Sequence, residues 1–147
     1  MSEELRPAFE LASFVAPTIA AAVFIVAMSA VREPTRQRFN AVGAAGFATL
    51  YLNGGYGLWE FLYMSIAVFP AYLGLRSYTW IGVAWFMHSA WDLVHHLYGN
   101  TLWHWAPSSS FGCFVMDALV AIWFFAGAPS VFEALRSKAP LSRGGSI

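Results

Sequence analysis

Between Leu11 and Val31 the chain runs for 21 residues without a charge. At about 1.5 Å of rise per residue, a helix of that length crosses roughly 30 Å of hydrocarbon. A single helix satisfies every backbone group internally, which a lipid environment demands. The rest of the chain is nearly as apolar: of 147 residues, 59% are hydrophobic and 11% charged. A soluble domain carries roughly a quarter charged residues. This composition predicts an all-α, polytopic transmembrane helix bundle, one domain over residues 1–147, partnered first by the lipid bilayer. A membrane-protein partner or a homo-oligomer is a further expectation. No basic stripe interleaved with aromatics points to nucleic acid. The single cysteine, Cys113, excludes an intramolecular disulfide. The acidic opening MSEELRPAFE, with no small-residue cleavage site after the first apolar run, argues against a cleaved signal peptide.

Punctuation divides the chain into about five spans, at residues 11–31, 39–52, 58–75, 78–98 and 111–132. Pro17, in the second turn of the first span, is a candidate kink. REPTRQR, residues 32–38, closes that span, and the turn-forming NGGYG, residues 53–57, closes the second. Span two is short and offers Ala41, Ala44, Ala45 and Ala48 for close helix contact. With five spans, seven of the eight Lys and Arg residues fall on one face, and only Arg6 on the other. The excess of positive charge then places the N-terminus outside and the C-terminus in the cytoplasm.

Span four holds the unusual chemistry. HSAWDLVHHLYG, residues 88–99, carries three histidines and an aspartate. At about 100° per residue, with His88 at zero, Asp92 falls near 40°, His95 near −20° and His96 near 80°. All four share one stripe. Glu60 near the start of span three and Asp117 in span five add two further acids in the same leaflet, the outer half. A charge at the centre of a membrane helix costs roughly 2.5–3.5 kcal/mol. The spans contain no Lys or Arg to pair with these acids, so the counterpart is an imidazolium, a metal cation or a proton. The short 99–110 connection makes spans four and five antiparallel neighbours and brings Asp92 near Asp117. Glu60 alone reads as an acid at the headgroup boundary, Cys113 as a packing residue and His104 as a loop residue.

Two readings follow. In the first, His88, Asp92, His95 and His96 are transition-metal ligands, using the i, i+4 pairs by which one helix grips an ion. Zinc or iron suits imidazole and carboxylate donors, with copper less favoured. Asp117 and Glu60 are then the candidate catalytic groups, acting on a lipid-soluble substrate through metal-activated water. In the second, the same groups form a metal-free proton relay or small-solute conduit, stepped over about 12 Å of helix. An accessory or assembly subunit, with the polar cluster fixing helix packing, is the third option.

Across HSAWDLVHHLYGN, PSSSFGC, WFFAGAPSVF, VREPTRQRFNAV and NGGYGLWE, the chain resembles a family of small bacterial integral membrane proteins classed as a domain of unknown function. The resemblance covers most of the chain beyond the first span. It implies a multi-span bacterial membrane protein and brings no assigned activity, ligand or catalytic residue. DLVHH also resembles the HxxHH box of membrane fatty-acid hydroxylases, but Asp92 stands at the first His and four histidines fall short of the set a di-iron site uses. Membrane ceramidase-like zinc hydrolases offer only a chemical analogy, since they spread their ligands over several helices.

Overall fold

The computed structural model describes residues 11–53, 55–98, 101–103 and 105–138. It is all-α, with α1 Leu11–Ala30, α2 Thr35–Phe47, a 3-10 segment Ala48–Asn53, α3 Leu58–Gly74, α4 Tyr78–Tyr98, α5 Ser109–Phe125 and α6 Val131–Lys138. Among the described residues there is no strand, only one isolated bridge between Trp103 and Ala106.

The expected boundaries hold for the first, third and fourth segments. Helix α1 stays one helical run through Pro17. The second and fifth segments differ. Helix α2 starts at Thr35, so Arg36 and Arg38 lie within it rather than in a loop, and the segment finishes as a 3-10 turn. The fifth helix stops at Phe125, seven residues short of the expected end at 132. There the backbone turns left-handed at Gly127 (φ 83°) and Ala128 (φ 50°), ahead of Pro129, and α6 starts afresh at Val131. The signal was legible in the residues AGAP: a glycine then a proline end a helix even when apolar residues continue beyond them.

Helix α4 is the centre of the structure. It packs most extensively on α5 and also on α3 and α2, while α1 lies against α5 and α6 against α1. The expected small-residue face of α2 is present: Ala41, Ala44 and Ala48 are all buried. Close approach of helices has a visible requirement at two glycines. A Cβ on Gly74 would lie 2.7 Å from Ile81 Cγ1, and one on Gly82 would lie 2.8 Å from the Phe125 ring. A main core cluster forms where α1, α2, α4 and α5 meet, around Ile81, Trp85, Val120 and Phe124. A second, smaller one gathers Ala48, Tyr51, Tyr63 and Ala67 at the other end of α4.

At the end where α2 and α4 begin, polar side chains tie the helices together. Gln37 Nε2 donates to the Gly74 carbonyl at 2.9 Å. Arg36 Nε donates to Glu33 Oε1 at 2.7 Å and lies 3.0 Å from the Tyr78 hydroxyl, which itself donates to the same Glu33 oxygen. Burial alone would raise the Glu33 carboxyl. The hydrogen bonds from Tyr78 and Arg36 and the Arg36 charge outweigh it and hold the carboxyl below its ordinary range.

Large apolar side chains lie on the outside as well as in the core, and several ionisable ones are buried. Leu11, Val23, Val42, Leu58, Phe69 and Ile122 face outward, while Glu60, His88, Asp92, His95 and Asp117 are buried. Among the described residues one helix is long and apolar enough to cross a membrane, over Ser13–Ala30 in α1, and α3 and α5 are shorter apolar helices.

Candidate functional site: a buried acid pair flanked by tyrosines

The sequence stripe on α4 becomes the polar interior. Asp92 and His95 are 0% exposed, His88 is 2%, and His96 at the edge of the stripe is half-buried. The stripe is buried because α4 lies between neighbours. Those neighbours also decide what each side chain meets.

Asp92 meets Asp117 of α5. The two carboxyl groups lie close enough across the α4–α5 seam to act on each other, the neighbourhood that the short connection predicts. Asp117 is 7% exposed. Tyr51, on the 3-10 segment, donates its hydroxyl to Asp92 Oδ1 at 2.9 Å. Among the described residues the other oxygen, Asp92 Oδ2, receives no donor from a hydroxyl, amide or ring nitrogen. Two carboxyls buried this close are coupled acids rather than two independent ones. One turn before Asp92, the Ser89 hydroxyl donates to the Phe114 carbonyl at 2.9 Å and pins α4 to α5 beside it.

Glu60 is not the boundary acid expected of it. It is 1% exposed and forms a second acid centre at the start of α3. Trp91 Nε1 donates to Glu60 Oε2 at 2.9 Å, and His95 Nε2 lies 3.2 Å from Glu60 Oε1. His88 faces backbone instead: its Nδ1 is 2.7 Å from the Ala84 carbonyl. His96 packs against the Phe111 ring, with centroids 5.1 Å apart.

The expected set of metal ligands, His88, Asp92, His95 and His96, therefore does not assemble. Among the described residues no three His, Cys, Asp or Glu side chains are grouped to hold a metal ion. The reason is geometric. A stripe about 100° wide on a central helix touches several neighbours, so each side chain answers to a different one. The i, i+4 spacing brings Cβ atoms together, but it does not make the side chains converge. The zinc, iron and copper chemistry expected of that set loses its donor geometry. His104 lies outside the described residues, and Cys113 is partly buried beside Met116.

Two phenols went unremarked in the sequence. Tyr51 and Tyr63 flank the NGGYG turn, where tyrosines read as ordinary interface residues. In the structure they line the acid pair. Their rings meet edge to face at 5.1 Å, and each lies 5.9 Å from the His88 ring. Tyr51 stacks on His95 at 5.5 Å, and Tyr63 stacks on Trp91 at 4.9 Å and 3°. The phenols thus join the Asp92–Asp117 centre to the Glu60–His95 centre.

An all-helical protein with two buried neighbouring carboxyls beside stacked aromatic rings is the class that this geometry defines. By sequence, the chain belongs to a family of unknown function, DUF6010, whose model matches residues 12–130. No curated protein and no solved structure matches it.

Proposed function

We propose that this is a multi-pass protein of the bacterial inner membrane whose interior handles protons, with Asp92 and Asp117 as the group that takes one up and gives it back. The observation that carries the reading is the close pair of carboxyls, buried and with Tyr51 bonded to one side of it. The exposed apolar and buried ionisable side chains support the membrane placement. Outward-facing Leu, Val, Ile and Phe over most of a small fold would drive aggregation in water, whereas in lipid they are the normal exterior. Ionisable groups inside a membrane bundle mark proton or ion pathways in general. Glu60 and His95, buried nearer the loop end of α4, serve as the next station for the proton. The N-terminus is outside and the basic C-terminal end cytoplasmic, on the charge asymmetry of the sequence.

Reporter fusions at Glu33, Ser77 and Gly145 should read cytoplasmic, and one at Asn100 external. An external signal at Ser77 would remove the five-span arrangement. For the activity, protein reconstituted in lipid vesicles should carry protons after an imposed pH step, with flux clearly above that of empty vesicles. Asp117→Asn should return the flux to the empty-vesicle level while the protein remains folded. Wild-type flux no greater than that of empty vesicles would refute proton handling.

A further inference from the structure

The Tyr63 hydroxyl is buried, with the residue 8% exposed, and among the described residues no protein group bonds to it. Its ring is fixed on both sides. It lies flat on Trp91 and edge-on to Tyr51, the residue that donates to Asp92. It also lies within electrostatic reach of the Asp92, Asp117 and Glu60 carboxyls. A buried hydroxyl without a partner loses its hydration for nothing in return, so such groups are rare unless a bound molecule satisfies them. The surroundings are polar enough to give that molecule a second partner, because among the described residues Asp92 Oδ2 likewise has no hydroxyl, amide or ring-nitrogen donor.

From this geometry we infer a binding site for one small neutral hydrogen-bonding molecule, a water in the resting protein, held between the Tyr63 hydroxyl and the Asp92–Asp117 pair. The inference rests on the proton-handling reading and assigns the route by which the pair exchanges. The departing proton passes from the carboxyl to the water oxygen, and one of that water's own protons moves on toward the Glu60 carboxylate. The O–H bond of the carboxyl breaks, one O–H bond of water is replaced by another, and a new O–H bond forms at the acceptor. Tyr63 keeps its own proton throughout. It is a positioning residue: it holds the water in line between the two acid centres. Trp91 fixes both parts of this arrangement, stacking on the Tyr63 ring and bonding to Glu60.

The decisive variant is Tyr63→Phe, which retains the ring on Trp91 and removes only the hydroxyl. In the reconstituted protein, infrared spectra taken after transfer to heavy water follow the exchange of the protonated carboxyl, assigned by its loss in Asp117→Asn. Tyr63→Phe should leave the carboxyl band in place and slow its exchange by roughly a hundredfold, the loss that about 1 Å of misplacement brings. Proton flux should fall with it. Glu60→Gln, which leaves Tyr63 untouched, should slow exchange as well, and this second variant decides the matter if Tyr63→Phe fails to fold. Unchanged exchange in a folded Tyr63→Phe protein, or in Glu60→Gln alone, overturns the bridging site while leaving the acid pair standing. Absence of any protonated-carboxyl band in the wild type instead overturns the reading beneath it.

Discussion

Asp117→Ala should destabilise the protein by about 3 kcal/mol. Asp92 is 0% exposed, and without Asp117 it retains, among the described residues, the Tyr51 hydroxyl as its polar side-chain partner. Leaving a buried polar group short of a partner costs about 1–3 kcal/mol, and the full burial of Asp92 places it at the upper end. Asp117→Asn keeps an amide that donates to Asp92 and should cost only about 1 kcal/mol, the worth of an ordinary net hydrogen bond. Reversible unfolding of the solubilised protein measures both. An alanine variant within about 1 kcal/mol of wild type would mean that the pair contributes nothing to holding α4 against α5.

Gly74→Val should be the next most damaging change. Its Cβ would fall 2.7 Å from Ile81 Cγ1, and 3.4 Å from both the Ile81 nitrogen and Ala41 Cβ. Ile81 is fully buried and cannot swing out, and the other two neighbours are backbone and a buried alanine. Overpacking a tight helix contact costs about 1–3 kcal/mol, and the two extra methyl groups of valine place it at the upper end. Gly46 is the internal control. A Cβ there meets nothing within 4 Å, so Gly46→Ala should be neutral or stabilise by up to about 1 kcal/mol through helix propensity. Equal melting temperatures for Gly74→Val and wild type would show that α2, α3 and α4 are less tightly joined than the distances imply.

Much of this was legible in the residues. The first, third and fourth helices could be bounded because charges, NGGYG and Arg76 punctuate them. Asp92 and Asp117 could be paired because a short connection forces neighbouring antiparallel helices. The centre of the α4 stripe, His88 to His95, could be predicted as buried because charge inside an apolar chain has to turn inward. What could not be read was which neighbour each group faces. Angles around α4 come from its own sequence, but partners come from tertiary packing, and this separated His88, His95 and His96 into three surroundings. Tyr51 and Tyr63 were invisible for a related reason. A tyrosine near a turn looks the same whether its hydroxyl reaches outward or inward. Glu60 was misjudged because nearness to a helix end says nothing about a tryptophan and a histidine closing over it.

The junction between α1 and α6 bears on the order in which the chain can be assembled. Ser130 Oγ donates to the Ser29 carbonyl and the Val131 amide donates to Ser29 Oγ, each at 3.2 Å, across 101 and 102 positions of sequence. Loop-closure entropy has to be met before such distant partners reward it, and a ribosome releases residue 131 long after residue 29. During synthesis α1 therefore waits for its last partner until α2 to α5 have been delivered. The Ser29 clasp closes a ring that begins and ends at the same serine, and a nascent chain arrested before Val131 would present a complete acid pair inside a fold whose first helix rests on α5 with its end not yet fastened.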